Sequence, residues 1–265
     1  MATSPGGTSY YLFDFDDNIM FLTTTIFVQN TVTKEEVALS TGDYALAHPQ
    51  LGKAGKWENF AEFGGTFRNF RDLPPEQLAG GRKQHFVADV EKAIDSGDDG
   101  WQGPAWQVFQ YACRNQRPVS LVTARGHSPE TMKAGVRVLL ENGLIEKEPN
   151  YKSIYPVTND EVRRNGLSDP ELALTVPALK KRAILQIVED AIAEYGVEAE
   201  LRFGMSDDDP ANVSLIIRAM TEAKLKYRDM RFFVVNTHFD QKVKLEVFPV
   251  DFSVTGSTLL SAEAK

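Results

Sequence analysis

The sequence predicts an α/β protein: a parallel sheet with helices on both faces, and a separate segment inserted after the first strand. Three observations point there. Short apolar runs recur along the chain, each followed by a polar loop and a helical pattern, and continuous apolar strands alternating with helices signal a parallel sheet buried on both faces. Residues 21–100 break that rhythm. A chain of 265 residues is long enough for one large domain carrying such an insertion.

The first strand is Tyr10–Phe13, which runs straight into Asp14, Phe15, Asp16, Asp17 and Asn18. The second is Val119–Val122, in RPVSLVTARG, and the third is Leu201–Met205, in ELRFGMSDDD. A fourth lies in RFFVVNT (231–237), after a helical stretch near 211–226, and YKSIYPVT (151–158) supplies a weaker fifth. The inserted segment opens with TTTIFVQNTVTKEEVALST, two strands around a polar turn, which predicts a hairpin. Trp57, Phe60, Phe63, Phe67 and Phe70 follow at spacings of three or four; the area that aromatic rings bury makes them the expected core of the insertion. A helix is expected near 84–95. Residues 1–20 and 101–250 are therefore expected to form a Rossmann-like core, 21–100 a cap or flap over the site, and 251–265 a frayed tail.

Composition narrows the function. The hydrophobic fraction of 42% suits a buried core, and no apolar run approaches the roughly 18 residues of a membrane span. The first residues, MATSPGGTSYY, lack a basic stretch followed by an apolar one, so no export signal is expected. The single cysteine, Cys113, leaves no internal disulfide and fits a reducing cytoplasm. A net charge of −8 argues against a nucleic-acid partner, and leaves room for a small phosphorylated ligand held by a few cations or a metal.

In open parallel sheets, ligands bind beyond the carboxyl ends of the strands. Asp14, Thr123 and Asp207 all fall just past the end of a predicted strand. Carboxylates at i and i+2, as at Asp14 and Asp16, point the same way. Such like charges raise each other's pKa unless a cation or an acid–base division of labour relieves them. The plain alternative is a solvated acidic turn.

Four stretches together resemble the motifs of the haloacid dehalogenase superfamily, in order: DFDDNI, VSLVTARG, VPALKKRAIL and LRFGMSDDDPANV. The resemblance covers about 10–19 and 105–235 and says little about 21–100. It implies a Mg²⁺-dependent phosphatase acting on a phosphate monoester. Asp14 would attack phosphorus and form an aspartyl-phosphate, and Asp16 would protonate the leaving oxygen and then activate water. The implied metal set is Asp14, the Asp16 backbone carbonyl and Asp207, with Asp208 as helper or alternative ligand. The resemblance implies that Thr123 donates its hydroxyl to a phosphate oxygen and that a lysine of the third stretch, Lys180 or Lys181, neutralises Asp14 and the phosphate; Ala124 and Arg125, directly after Thr123, are further candidate substrate contacts, as is His127 close behind them. The family often has Gly-Thr where this chain has Asp17 and Asn18; Asn can still make the local turn hydrogen bonds. With Asp16 and the later acids present, phosphate chemistry is favoured over dehalogenation.

The helix itself separates two lysines. At about 100° per residue, Ala183, Ile184, Ile187, Val188 and Ala191 form one apolar arc. Lys180 falls near its middle and Lys181 at its edge. A lysine on a buried face has to meet negative charge, which selects Lys180. Sugar phosphates, nucleotides, other small metabolites and phosphoproteins all satisfy the chemistry, and neither a membrane nor a nucleic acid is an expected partner. Two other readings share the fold: a phosphotransferase or phosphomutase using the same intermediate, and a catalytically silent binding protein whose aromatic insertion is a partner surface.

Overall fold

A computed structural model describes residues 7–97, 99–166, 175–237 and 242–248; the predicted tail, 251–265, lies outside them. The chain opens with β1 (Thr8–Phe13). It then forms the hairpin β2 (Ile26–Asn30) and β3 (Glu36–Leu39), helix α1 (Thr41–Ala47), the short β4 (Phe60–Ala61) and α2 (His85–Ile94). After α3 (Trp106–Arg114), β5 (Pro118–Thr123), α4 (Pro129–Glu141), β6 (Asn150–Pro156) and α5 (Asp160–Gly166) come α6 (Val176–Tyr195), β7 (Leu201–Asp207), α7 (Pro210–Lys226), β8 (Arg231–Asn236) and β9 (Val243–Val247).

Six strands make one sheet in the order β6-β5-β1-β7-β8-β9. Neighbours are parallel except β8 and β9, which run antiparallel. This is a mostly parallel α/β sheet flanked by helices, consistent with a Rossmann-like fold. The five predicted strands all appear; β9 is an addition at the edge.

Alternation along β1 explains the two layers. Tyr10 and Leu12 face one core with Phe203, Met205, Phe232 and the apolar arcs of α6 and α7. Phe13 faces the other, with Val119, Leu121 and buried residues of α2, α3 and α4. Helix α2 belongs to that second core through Phe86, Val90 and Ala93. It lies close on α4, because a Cβ at Gly135 would stand 2.3 Å from the Phe86 ring. Cys113 is fully buried in the same layer, and burial pushes its thiol up to about 12.

The hairpin and β4 form a separate three-stranded sheet in the order β3-β2-β4. Its small core contains Val28, Leu39, Ala47 and Trp57, with Phe60 packed against it. Of the aromatic series, Trp57 and Phe60 join this core, Phe67 is exposed, and the Phe70 ring lies against the Arg125 guanidinium after β5. Among the described residues, no helix is long and apolar enough to cross a membrane.

Candidate active site

Strand register builds the site. Phe13 pairs with Leu121 on β5 and with Ser206 on β7, so the ends carrying Asp14, Thr123 and Asp207 lie side by side. The Asp14 amide continues the ladder by donating to the Ser206 carbonyl at 3.1 Å. The loop after β1 is pinned by Asn18, which is fully buried. Its amide nitrogen donates to the carbonyls of Asp14 (2.9 Å) and Ser206 (3.2 Å) and to Ser206 Oγ (2.9 Å). Its Oδ1 accepts from Thr237 Oγ1 at 3.0 Å. One side chain thereby ties together the ends of β1, β7 and β8. Asp17 stands at φ 53°, a left-handed conformation that Asp tolerates better than most residues. Gly103 packs against this loop so closely that a Cβ would meet the Asn18 carbonyl oxygen at 2.4 Å.

Lys180 meets two acids. Its Nζ lies 2.8 Å from Asp207 Oδ2 and 3.1 Å from Asp14 Oδ2, with the side chain 1% exposed. Lys181 instead pairs with Glu222 at the surface, at 2.7 Å. Asp207 Oδ1 accepts from the Asp209 amide and from Asn212 Nδ2, both at 3.1 Å. Asp14, Asp207 and Asp208 each offer an oxygen within 4.8 Å of the others. Three carboxylates thus face one ammonium. Burial raises the Asp14 carboxyl well above the usual range; Lys180 opposes that, while Asp207 and Asp208 reinforce it. Asp208 is pushed up to about 7, by burial and then by Asp207 and Asp17. Burial works against the Lys180 ammonium, yet Asp14 and Asp207 outweigh it and hold its pKa above the ordinary lysine value.

Asp16 turns elsewhere. Arg125 Nε donates to its Oδ2 at 2.8 Å and Nη2 to its Oδ1 at 2.6 Å. Arg125 is fully buried, and Nη2 also donates to Thr24 Oγ1 at 2.7 Å. The guanidinium is thereby committed to Asp16 and Thr24, with only Nη1 lacking a partner among the described residues. Thr123 is fully buried, and its Oγ1 accepts from the Arg125 amide at 3.3 Å. Ala124 is exposed, its carbonyl accepting from Thr158 Oγ1 at 2.8 Å. His127 is buried against Phe86 with neither ring nitrogen bonded among the described residues. Burial, then Arg125 and His85, lower its pKa to about 2.

The structure therefore brings Asp14, Lys180, Asp207 and Asp208 together, sets Thr123 on the adjoining strand end, and joins Asp16 to Arg125. Thr24, Ser206 and Thr237 also build the site. Nothing marks them in the sequence, since their partners lie 101, 188 and 219 residues away.

The donor set suits a hard divalent cation: three clustered carboxylates, and Asp14 Oδ1 buried without a hydrogen-bond partner among the described residues. A comparison with protein-family models, curated proteins and solved structures found no matching family model and no significant match among the proteins or structures.

Proposed function

We propose that this chain is a haloacid dehalogenase-like phosphatase that hydrolyses a phosphate monoester. The observation that carries the reading is the buried Lys180 ammonium lying between Asp14 and Asp207 at the carboxyl ends of adjacent strands. Clustered buried acids destabilise a fold, so their retention beside a strand-end Thr and a lysine favours chemistry over a silent scaffold.

In this reading Asp14 attacks phosphorus, and the P–O bond to the leaving group breaks. The departing oxygen takes a proton from Asp16, leaving an aspartyl-phosphate on Asp14. Asp16 then removes a proton from water, which attacks phosphorus and releases the Asp14 carboxylate and inorganic phosphate. Lys180 screens the negative charge of Asp14 and the phosphoryl group, and Thr123 donates its hydroxyl to a phosphoryl oxygen. Asp14, Asp207 and Asp208, with the Asp16 carbonyl, would hold Mg²⁺, which supplies charge neutralisation at the phosphoryl oxygens when bound. Residues 21–100 serve as the cap or flap beside this site, and the substrate is a small phosphorylated molecule.

The test is hydrolysis across a panel of phosphate esters, including a generic aryl phosphate, with and without Mg²⁺. Wild type should turn over only with the metal, and Asp14→Asn should lose activity by at least about 10³-fold. Wild type and Asp14→Asn equally inactive across the panel would replace this reading with the binding-protein one.

A further inference from the structure

We propose that residues 21–100 hold Asp16 in position through Arg125, making the inserted segment a fixed part of the proton-transfer machinery and not a lid that swings over it. The inference rests on the phosphatase reading and adds a role for the insertion that the reading leaves open.

Arg125 grips both Asp16 oxygens with adjacent guanidinium nitrogens, and a planar fork of this kind fixes the angle of a carboxylate as well as its place. The fork is in turn fixed from outside. The Phe70 and Phe86 rings each lie 4.7 Å from its central carbon, and Thr24 Oγ1 accepts from Nη2 while donating to Asp89. Thr24 and Phe70 belong to the part of the inserted segment that precedes α2, while Phe86 and Asp89 lie on α2, which the second core already holds in place. The same segment is strapped to the loop after β5: the Gly126 amide donates to the Phe70 carbonyl at 2.8 Å, and the Ser128 amide donates to Asp72 Oδ2 at 2.9 Å. Swinging the stretch before α2 away would strip a buried cation of the Phe70 ring and of the Thr24 oxygen, a costly rearrangement. Asp16 keeps an 18% exposed side chain, which is the edge a leaving oxygen or a water can reach. Arg125 is a positioning residue in this scheme, acting through Asp16.

The experiment measures kcat/KM for wild type, Asp16→Asn, Arg125→Lys and the double variant on phosphate esters whose leaving groups run from nitrophenol to an alkyl alcohol. A displaced Asp16 hurts basic leaving groups most, because they depend most on proton donation. Arg125→Lys should lose about 10-fold on nitrophenyl phosphate and about 100-fold or more on the alkyl ester. It should add nothing in the Asp16→Asn background. Losses that are equal across leaving groups and additive with Asp16→Asn would overturn the inference. If Arg125→Lys does not fold, Thr24→Val takes its place: a tilt in the same direction supports the proposal, and a flat loss overturns it. Amide exchange reads the clamp without any activity. Gly126 and Ser128 exchanging as slowly as the β5 amides supports a fixed segment, and fast exchange at both overturns it. A wild type that cleaves no ester while those amides stay protected would sink the phosphatase reading and leave the clamp standing.

Discussion

Lys180 shows what one residue does for this site. Removing its ammonium leaves Asp14 and Asp207 buried without their cation. Lys180→Ala is therefore expected to lower metal-free stability by about 3–5 kcal/mol, whereas Lys181→Ala, at a surface pair, should cost about 0.5 kcal/mol or less; urea unfolding of the two variants checks the contrast. This choice between neighbours was legible in the sequence, because helical periodicity alone puts Lys180 on the apolar arc. The direction of Arg125 was not, because it depends on Thr24, Phe70 and Phe86 arriving from a distant part of the chain. His127 makes a pH prediction. Its folded pKa is near 2 against an ordinary 6.5, so between those values the unfolded chain binds a proton that the folded one refuses. Stability from this site is complete above pH 6.5 and falls as the pH drops, by up to about 1.4 kcal/mol per pH unit. In His127→Leu, the denaturation midpoint should depend less on pH from 6.5 down to 4.

At the scale of elements, the turn after β1 is the part under most constraint. Gly103→Ala would drive a methyl into the Asn18 backbone; the expected cost is about 1–3 kcal/mol, measurable by chemical denaturation, and the displaced Asn18 should take activity down with it. The central strands were readable because a strand buried on both faces is a short apolar run, as the uniformly buried β5 illustrates. The hairpin was readable from its two runs and polar turn. Helix α2 was readable as a helix, but its docking on α4 beside Gly135 was not, since that needs the fold. Strand β9 gave no signal: VKLEV is short, with charges at Lys244 and Glu246, and its pairing with β8 makes it a strand. Asn18 suggested a local turn, and its bonds to β7 and to Thr237 depend on strand register.

For the molecule as a whole, the excess of carboxylates couples protons to stability and, in the proposed reading, couples a metal to both. With the folded pKa of Asp208 raised to about 7 from 3.8, the folded state holds that proton longer than the unfolded one. Without metal, its contribution to stability is greatest below pH 3.8 and declines as the pH rises toward 7. A divalent cation competes with the proton, so the Tm gain from added Mg²⁺ should be larger at pH 8 than at pH 5 and shrink in Asp208→Asn, as differential scanning fluorimetry would show. A last consequence comes from Cys113. The chain's sole thiol is enclosed in the second core with a pKa near 12, so alkylating dyes should leave the native protein unmarked. A new cysteine at an exposed position such as Phe67, in the stretch after β4, would then carry a spectroscopic probe against no background, reporting on the surroundings of that stretch without first rebuilding the protein.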